Sequence, residues 1–403
     1  MSKPFIISLI TFIIIGGVAA VAVFLAKGYR LSTQNKMIFG TGILSITSTP
    51  DQASVYLDGH LTTATNANVN SLEPKIYDVK IVKEGFIPWQ KKVEVHQGLV
   101  SDIKAALYPA IPSVYPLTFD GISNVTASLD NLRFSYVIPS EGGENPLIKR
   151  SGLWVWDMST QTVQFARGKE PHQILTGLSS EDLLAGRVRW SPDSTQLIFT
   201  IGDRNLLLET NKLNDAPKDI TPVLKATLQT WDQETSVSNL ARIQTIKDPN
   251  VRNIASSAAY LKWSPDDTKL LYSQNGKDNF KVTDLTEHKS YDMDLMPQDN
   301  QLTVNWLADS RHLVLAENSP KAKTVIKEGC EDKGSLAKTE TCRIYDGTIS
   351  VMEFDGANKS VIYAGQFDPA SVLPWADGNR VIMISSIPTP TASLPNLFGI
   401  NLK

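Results

Sequence analysis

The pattern of hydrophobic and polar positions divides the chain into three parts. Residues 5–26 form an apolar run without a charge, residues 42–108 alternate apolar and polar positions with a period of two, and residues 112–403 repeat a longer strand-and-turn pattern. A helix rises about 1.5 Å per residue, so the first run is long enough to cross the roughly 30 Å hydrocarbon core of a bilayer. The sequence therefore predicts a transmembrane helix at 5–26, between a cytoplasmic tail at 1–4 and a polar linker at 27–41.

The N-terminal run has one competing interpretation, a cleavable signal peptide. Ala20-Val21-Ala22 resembles a cleavage site, but apolar residues continue through Phe24 and Leu25, which favours an uncleaved anchor. Basic residues flank the run on both sides, so they do not settle its orientation.

Several short stretches between residues 42 and 108 have the composition of strands. They are residues 43–48, 54–57, 77–82, 92–95 and 103–107. The turn signal Asp58-Gly59 follows the second stretch. Short strands separated by turn residues predict a small antiparallel β-sandwich.

The same segment resembles the PEGA domain, which is named for a Pro-Glu-Gly-Ala motif. The motif position reads Pro-Asp-Gln-Ala at residues 50–53, so the outer residues match and the middle pair does not. The agreement is better at residues 55–59, at Leu72 and Tyr77, and at residues 85–86 and 89. The resemblance implies an envelope or surface-layer module that acts as a spacer or adhesive and has no catalytic role.

Two aromatic residues of this segment are candidates for a binding surface. Trp89 follows Pro88 and is a candidate to stack on a sugar ring, and Tyr56 is the second candidate. A tryptophan buries a large apolar area, so a place at the edge of the sandwich core is the competing interpretation for Trp89.

A motif recurs five times after residue 112. Each copy has an apolar strand, a tryptophan-like position, a turn with Asp and a second apolar strand. The copies are at Ala127, Trp190, Trp263, Trp306 and Trp375. The Trp-Ser-Pro-Asp form of two copies resembles TolB-type and WD-like propeller repeats, which implies a fold rather than a function. The Trp is expected to pack between blades, and the Asp to cap the tight turn.

Five copies predict a β-propeller over residues 112–403, with five blades, or six if one blade is degenerate. The last blade has only three strands, and residues 113–117 are expected to supply the fourth and close the ring. Closure removes strand edges that would otherwise pair with other chains. The predicted fold class is therefore all-β, with an N-terminal transmembrane helix, a PEGA-like sandwich and a propeller that carries a helical insertion.

Two insertions interrupt the repeat. In residues 222–258, Leu224, Leu228 and Trp231 recur at helical spacing, and Asp248-Pro249 predicts the start of another helix. These helices are expected either to pack on the ring or to present a partner surface, with Trp231 as a candidate contact. The second insertion, at 318–346, is charged.

The second insertion contains the two cysteines of the chain, Cys330 and Cys342. Neither a CxxC pair nor a nearby pair of histidines supports a zinc site. Outside the cytoplasm, a disulfide between them would close a small loop and contribute about 3 kcal/mol in the chain-entropy model. Two reduced thiols are the alternative.

Charge and motif content narrow the function classes. The net charge of −3 argues against a nucleic-acid partner, which requires a basic surface. The chain has no GxSxG, HExxH, Walker or GxGxxG motif, and its five histidines are scattered. We therefore expect no enzymatic activity, no cofactor and no metal.

The favoured interpretation is a single-pass protein of the cytoplasmic membrane, with its N-terminus inside and most of the chain outside. The PEGA resemblance and the cysteine pair favour this orientation. The propeller head is expected to recognise an envelope protein or glycan. The alternative is a glycan-processing enzyme with carboxylates in the propeller channel, for which Glu84 and Asp203 are candidates that the sequence does not rank.

Overall fold

The chain folds into two compact units, Met1–Ile111 together with the terminal Lys403, and Pro112–Leu402. The computed structural model describes residues 3–26, 29–31, 38–139, 150–158, 170–276, 279–295, 302–318, 344–389 and 395–403. Both units are built mainly of β-strands, as the sequence predicts.

The N-terminal segment forms one helix, α1 (Lys3–Ala26). The side chains described for this helix, those of residues 8–24, are exposed, and Phe12 is 78% exposed. By the combined criteria of length and hydropathy, no helix in the part of the chain that the structure describes qualifies as a membrane span. The transmembrane assignment of residues 5–26 is therefore not supported by the structure and stays a prediction.

The predicted linker at 27–41 contains a short sheet. β1 (Tyr29–Leu31) pairs antiparallel with β2 (Ile38–Gly40), with Arg30 opposite Phe39. Strands of three residues are shorter than the window in which a period of two can be recognised, so the sequence pattern did not predict them.

The rest of the first unit is a sandwich of two sheets, with strand orders β6-β3-β9 and β5-β4-β7-β8. The strands are β3 (Gly42–Thr49), β4 (Ser54–Leu57), β5 (His60–Ala64), β6 (Ala67–Leu72), β7 (Ile76–Val82), β8 (Trp89–Glu94) and β9 (Val100–Ala106). Alternate residues face the shared core, where Leu44, Ile46, Val55, Val79 and Ile81 are fully buried. This burial is the physical origin of the period of two.

Two details of the sandwich differ from the sequence prediction. β3 and β9 run parallel, with Ile43 opposite Val100, whereas a purely antiparallel sandwich was expected. Apolar alternation marks a strand but not its direction, which explains this error. β5 and β6 are additional strands: β5 is mostly exposed, and β6 alternates only over a few residues without a strongly apolar face, so neither was recognised.

The second unit contains five four-stranded sets in a propeller-like arrangement, which we call blades 1–5. Three blades are separate sheets, and blades 4 and 5 belong to one seven-stranded sheet. Blade 1 has β11 (Ser123–Ala127), β12 (Arg133–Ile138), β13 (Gly152–Asp157) and β14 (His172–Leu175); blade 2 has β15 (Arg187–Trp190), β16 (Gln196–Ile201), β17 (Arg204–Glu209) and β18 (Lys218–Asp219); blade 3 has β19 (Tyr260–Trp263), β20 (Lys269–Ser273), β21 (Lys281–Asp284) and β22 (Lys289–Asp292); blade 4 has β23 (Leu302–Trp306), β24 (His312–Asn318), β25 (Tyr345–Glu353) and the first part of β26 (Ser360–Pro374); blade 5 has the rest of β26, β27 (Arg380–Ser385), β28 (Asn396–Asn401) and β10 (Val114–Pro116).

One long strand, β26, serves two blades. Its first part pairs with β25 as far as Phe367, and its last residues pair with β27, where Pro374 lies opposite Val381. The register shifts between Asp368 and Leu373. The outer strand of blade 4 thus continues as the inner strand of blade 5.

The first strand of the second unit completes its last blade. β10 pairs antiparallel with β28, and Val114 lies opposite Ile400. Beyond the ends of β10, Asn401 N donates a hydrogen bond to Ser113 O, and Leu117 N donates one to Leu397 O. This pairing is the one expected for residues 113–117.

Helices connect several blades. α2 (Ser180–Ala185) precedes blade 2, and a 3-10 turn (Thr221–Val223), α3 (Leu224–Gln244) and α4 (Pro249–Ser257) lie between blades 2 and 3 in the chain. Asp248 caps α4 by accepting a hydrogen bond from Asn250 N at 2.8 Å. The predicted disulfide between Cys330 and Cys342 lies outside the described residues, as does most of the insertion at 318–346.

Candidate functional site

Each blade has the same turn between its first and second strands. In blade 2, Asp193 Oδ1 accepts hydrogen bonds from Ser191 Oγ at 2.6 Å and from Thr195 N at 3.1 Å, and Ser194 has a φ of 58°. The equivalent residues of the other blades also have a positive φ: Asn131, Asp267, Ser310 and Gly378. The repeated Asp therefore caps a tight turn.

Tryptophan side chains connect two pairs of neighbouring blades. Trp190 Nε1 of blade 2 donates a hydrogen bond to Thr126 O of blade 1 at 3.1 Å, and Trp306 Nε1 of blade 4 donates one to Lys262 O of blade 3 at 3.3 Å. Each acceptor residue directly precedes the tryptophan position of its own blade, so the two bonds are equivalent. Both indoles also belong to the apolar clusters between the same blades.

Blades 2 and 3 are joined through the inserted helices. Toward its N-terminus α3 packs on blade 2, where Trp231 is buried with Ile198 and Ile220. The C-terminal end of α3 and helix α4 pack on blade 3, where Ile243 and Leu270 are buried. One helix thus contacts both blades, and we call the region between these blades the 2–3 seam.

Trp263 lacks the hydrogen bond that its repeat position makes elsewhere. It is the blade 3 equivalent of Trp190 and Trp306, but its buried Nε1 has no hydrogen-bond partner within the described parts of the chain. The guanidinium of Arg242, from α3, lies 5.8 Å from the centroid of the Trp263 ring and pairs with Asp267 at 3.1 Å. A helix therefore borders Trp263 where an inner strand borders the other two tryptophans.

The residue before each of these tryptophans contacts the blade or helix that comes after its own blade in the chain. Lys262 Nζ donates hydrogen bonds of 2.8 Å to Val304 O and to Asn305 Oδ1 of blade 4. Asn305 in turn donates to a backbone carbonyl of blade 5 at 2.9 Å. In blade 2 the same position is Arg189, which is exposed and pairs with Asp232 of α3 at 2.5 Å.

The middle of α3 is exposed. Residues 232–242, which we call the bridge segment, include no buried residue, and Val237 and Leu240 are 67% and 54% exposed. Side chains three residues apart lie on the same side of a helix. Because apolar contacts fix the helix on both sides of the bridge segment, this apolar pair is held in a defined position.

The three candidate surface residues lie in different environments. Trp89 is 4% exposed in the sandwich core, and Trp231 is 8% exposed against blade 2. Both indoles fill the space between packed layers, which corrects their assignment to a binding surface. Tyr56 is partly exposed on β4. The sequence did not identify the bridge segment, because helical spacing shows a helix but not which part of it its neighbours cover.

A glycan-processing site uses a pair of carboxylates. Among the described inner strands, Asp368 at the start of the blade 5 part of β26 is the single acidic residue. Glu84 lies between β7 and β8 in the first unit, and Asp203 lies in the turn between β16 and β17. The described residues also include no group of three or more His, Cys, Asp or Glu that could hold a metal.

Comparison with known families gives one match, within the first unit. Residues 41–110 match the model of the PEGA domain family, which confirms the resemblance found in the sequence. The match does not extend into the second unit. No curated protein matches the chain significantly.

Several solved structures match the chain at low identity. A putative TolB from Agrobacterium tumefaciens is 10% identical, with 88% of this chain and 99% of that chain covered and a TM-score of 0.23. An auxiliary nutrient binding protein from Bacteroides thetaiotaomicron is 8% identical, with 87% and 90% covered and a TM-score of 0.26. For a Pyrococcus horikoshii acylaminoacyl peptidase, at 13% identity and a TM-score of 0.23, the match covers 52% of this chain and only 27% of the peptidase. Likeness at these TM-scores carries no weight, and the propeller-like arrangement follows from the pairing of the strands.

Substitution of Trp190, Trp263 and Trp306 by phenylalanine is expected to distinguish the two tryptophans that bond to a neighbouring blade from Trp263, which does not. Trp190→Phe and Trp306→Phe each remove a hydrogen bond to a carbonyl of the neighbouring blade, and such a bond contributes about 0.5–1.5 kcal/mol. Trp263→Phe removes a donor that has no partner. We expect the first two variants to lose about 1 kcal/mol more unfolding free energy than the third, as measured by urea denaturation. All three variants lose the same side-chain volume, so each is a control for the others. Equal losses of unfolding free energy would contradict the inference that Trp263 differs from the other two in lacking a hydrogen bond.

Lys262 is expected to make stability rise with pH in the alkaline range. Burial lowers the pKa of this ammonium group from 10.5 to about 8, despite its two acceptors. Between these two pH values the unfolded chain binds a proton that the folded chain does not, so the free energy of unfolding increases with pH. The increase is expected to approach about 3 kcal/mol, measured by urea denaturation across this range, and Lys262→Met should flatten the profile. An unchanged profile in the variant would show that the amine does not titrate in this way.

Proposed function

We propose that this chain is an extracytoplasmic binding and scaffold protein, held at the cytoplasmic membrane, that recognises a protein partner through a five-bladed propeller head. The observation that carries the proposal is the bridge segment, an exposed length of helix that two blades hold in place. The PEGA match of the first unit supports an envelope role in which the sandwich acts as a spacer.

The bridge segment has the features of a protein-binding helix face. Val237 and Leu240, with the neighbouring Ala241, form a small apolar strip on the otherwise polar bridge segment. Partner proteins commonly bind such strips through side chains three and four residues apart. A helix that is already fixed loses little conformational entropy when it binds, so more of the contact energy contributes to affinity.

The proposed attachment to the membrane is supported by the composition of α1. The helix contains no acidic residue, and its described side chains are exposed, with Phe12 and Val18 at 78% and 64%. Exposure of this many apolar groups to water is unfavourable, whereas a bilayer would accommodate them. An extracytoplasmic head is consistent with the predicted disulfide between Cys330 and Cys342, because disulfides persist in oxidising compartments.

The partner hypothesis predicts a protein adduct from one side of α3. A photo-crosslinking amino acid at position 237 of the full chain is expected to give a defined adduct in cells, identified by mass spectrometry. The same amino acid at position 239, roughly opposite on the helix, should not give that adduct. Leu240→Glu should reduce the adduct at least about tenfold, since a charge at the centre of an apolar contact is poorly solvated, and Asn239→Glu is the control with the same added charge.

Equal cross-linking from positions 237 and 239, or none from either, would contradict recognition through this face. If the protein instead co-sediments with isolated cell wall in a salt-resistant manner, the glycan alternative replaces the protein partner.

The membrane hypothesis predicts that α1 resists extraction. The full chain should stay with the membrane after alkaline carbonate treatment, and the double variant Ile13→Lys/Val18→Lys should be released, because each lysine costs about 2.5–3.5 kcal/mol at the centre of a membrane helix. Ile13→Leu/Val18→Leu is the matched control and should remain bound. Release of the unmodified chain would contradict the proposed attachment.

A further inference from the structure

Two arginines of blade 2 are exposed at positions that other blades cover. Arg187 and Arg189 are alternate residues of β15, so their side chains leave the same face of the strand about 7 Å apart. The equivalent residues of blade 3, Tyr260 and Lys262, face blade 4 and bond to the carbonyl of Val304. Both arginines are exposed, because helix α3 borders this face of β15, whereas a neighbouring blade borders the equivalent face of blade 3.

The backbone that carries these arginines is firmly held. Asn124 of blade 1 donates hydrogen bonds to the carbonyls of Leu183, Leu184 and Gly186, just before β15 begins. A Cβ at Gly186 would collide with the ring of Phe199, so the chain passes this point in close contact with a buried side chain. The position of Arg187 is therefore defined before any ligand binds, which lowers the entropic cost of binding.

An ion pair within the chain shows that this face of β15 binds a carboxylate. Asp232 of the bridge segment places a carboxylate oxygen 2.5 Å from Arg189 Nη2, and both side chains are more than half exposed. An exposed ion pair of this kind contributes only about 0–1 kcal/mol, so an incoming carboxylate can replace Asp232 at little cost. Within the described part of the chain, Arg187 has no ion-pair partner.

We propose that Arg187 and Arg189 bind two carboxylates from alternate residues of an extended, acidic segment of a protein partner. Alternate side chains of an extended peptide leave its backbone about 7 Å apart, which matches the spacing at which Arg187 and Arg189 leave β15. Guanidinium groups form strong charge-assisted hydrogen bonds with carboxylates, often through two parallel bonds. The proposal rests on the proposed function, since it specifies the chemistry of the partner that the 2–3 seam recognises.

A synthetic peptide tests the proposal with the full-length protein in detergent. The probe is a fluorescein-labelled Gly-Thr-Glu-Thr-Glu-Thr-Gly peptide, and binding is measured by fluorescence anisotropy at low ionic strength. Arg187→Gln and Arg189→Gln are each expected to weaken binding about tenfold. Arg204→Gln, which removes the same charge from an exposed arginine of the same blade, should leave binding unchanged.

A gain of affinity provides a test that misfolding cannot imitate. Asp232→Asn removes the carboxylate that competes for Arg189 and should strengthen peptide binding severalfold. The Gln counterpart of the peptide should not bind, and a peptide with its two Glu residues three positions apart should bind at least about fivefold more weakly, because its carboxylates do not share one face of an extended strand.

Three results would overturn the proposal: unchanged binding in Arg187→Gln, equal weakening in Arg204→Gln, or binding of polygalacturonate without binding of the peptide. The cross-link from position 237 reports the proposed function independently. An adduct at that position combined with no peptide binding would refute the acidic motif while the partner surface on α3 remains supported.

Discussion

Contact between neighbouring blades is the constraint on which the second unit depends. A single four-stranded sheet cannot bury both of its faces, so each blade needs a neighbour on either side. Between blades 1 and 2, and between blades 3 and 4, an indole fills the space and donates a hydrogen bond to the neighbouring strand. Between blades 2 and 3, α3 supplies the buried apolar surface instead, through Trp231 on one side and Ile243 on the other.

Helix α3 buries less of the neighbouring blade than another blade would, and the candidate site is a result of this difference. A blade would bury the seam-facing side of β15, but α3 leaves Arg187 and Arg189 exposed. The helix also turns its own middle toward solvent, so Val237 and Leu240 become available. In the proposed function, structural and recognition roles are divided along one element: its flanks stabilise the two blades, and its centre binds the partner.

The parts of the fold that the sequence predicted are those in which a local pattern has one physical solution. The turn at Asp193-Ser194 needs a capping carboxylate and a residue with positive φ, so it repeats visibly. The parts that the sequence did not predict depend on what lies opposite a side chain. Trp89 and Trp231 were predicted to belong to a binding surface and are buried. Arg189 is exposed but was not among the predicted residues. Local periodicity gives an element and its apolar face, but it does not identify the neighbour.

Blade 5 joins both ends of the second unit, and this affects how the chain can be made. Within the second unit β10 is synthesised first and β28 last, so the two strands pair only after nearly the whole unit has been made. Blade 5 also covers aromatic side chains of blade 1, since Trp156 packs edge-on against Trp375 with ring centroids 5.6 Å apart. An incompletely folded second unit therefore exposes aromatic surface that the complete unit covers, and transiently exposed surface of this kind favours aggregation.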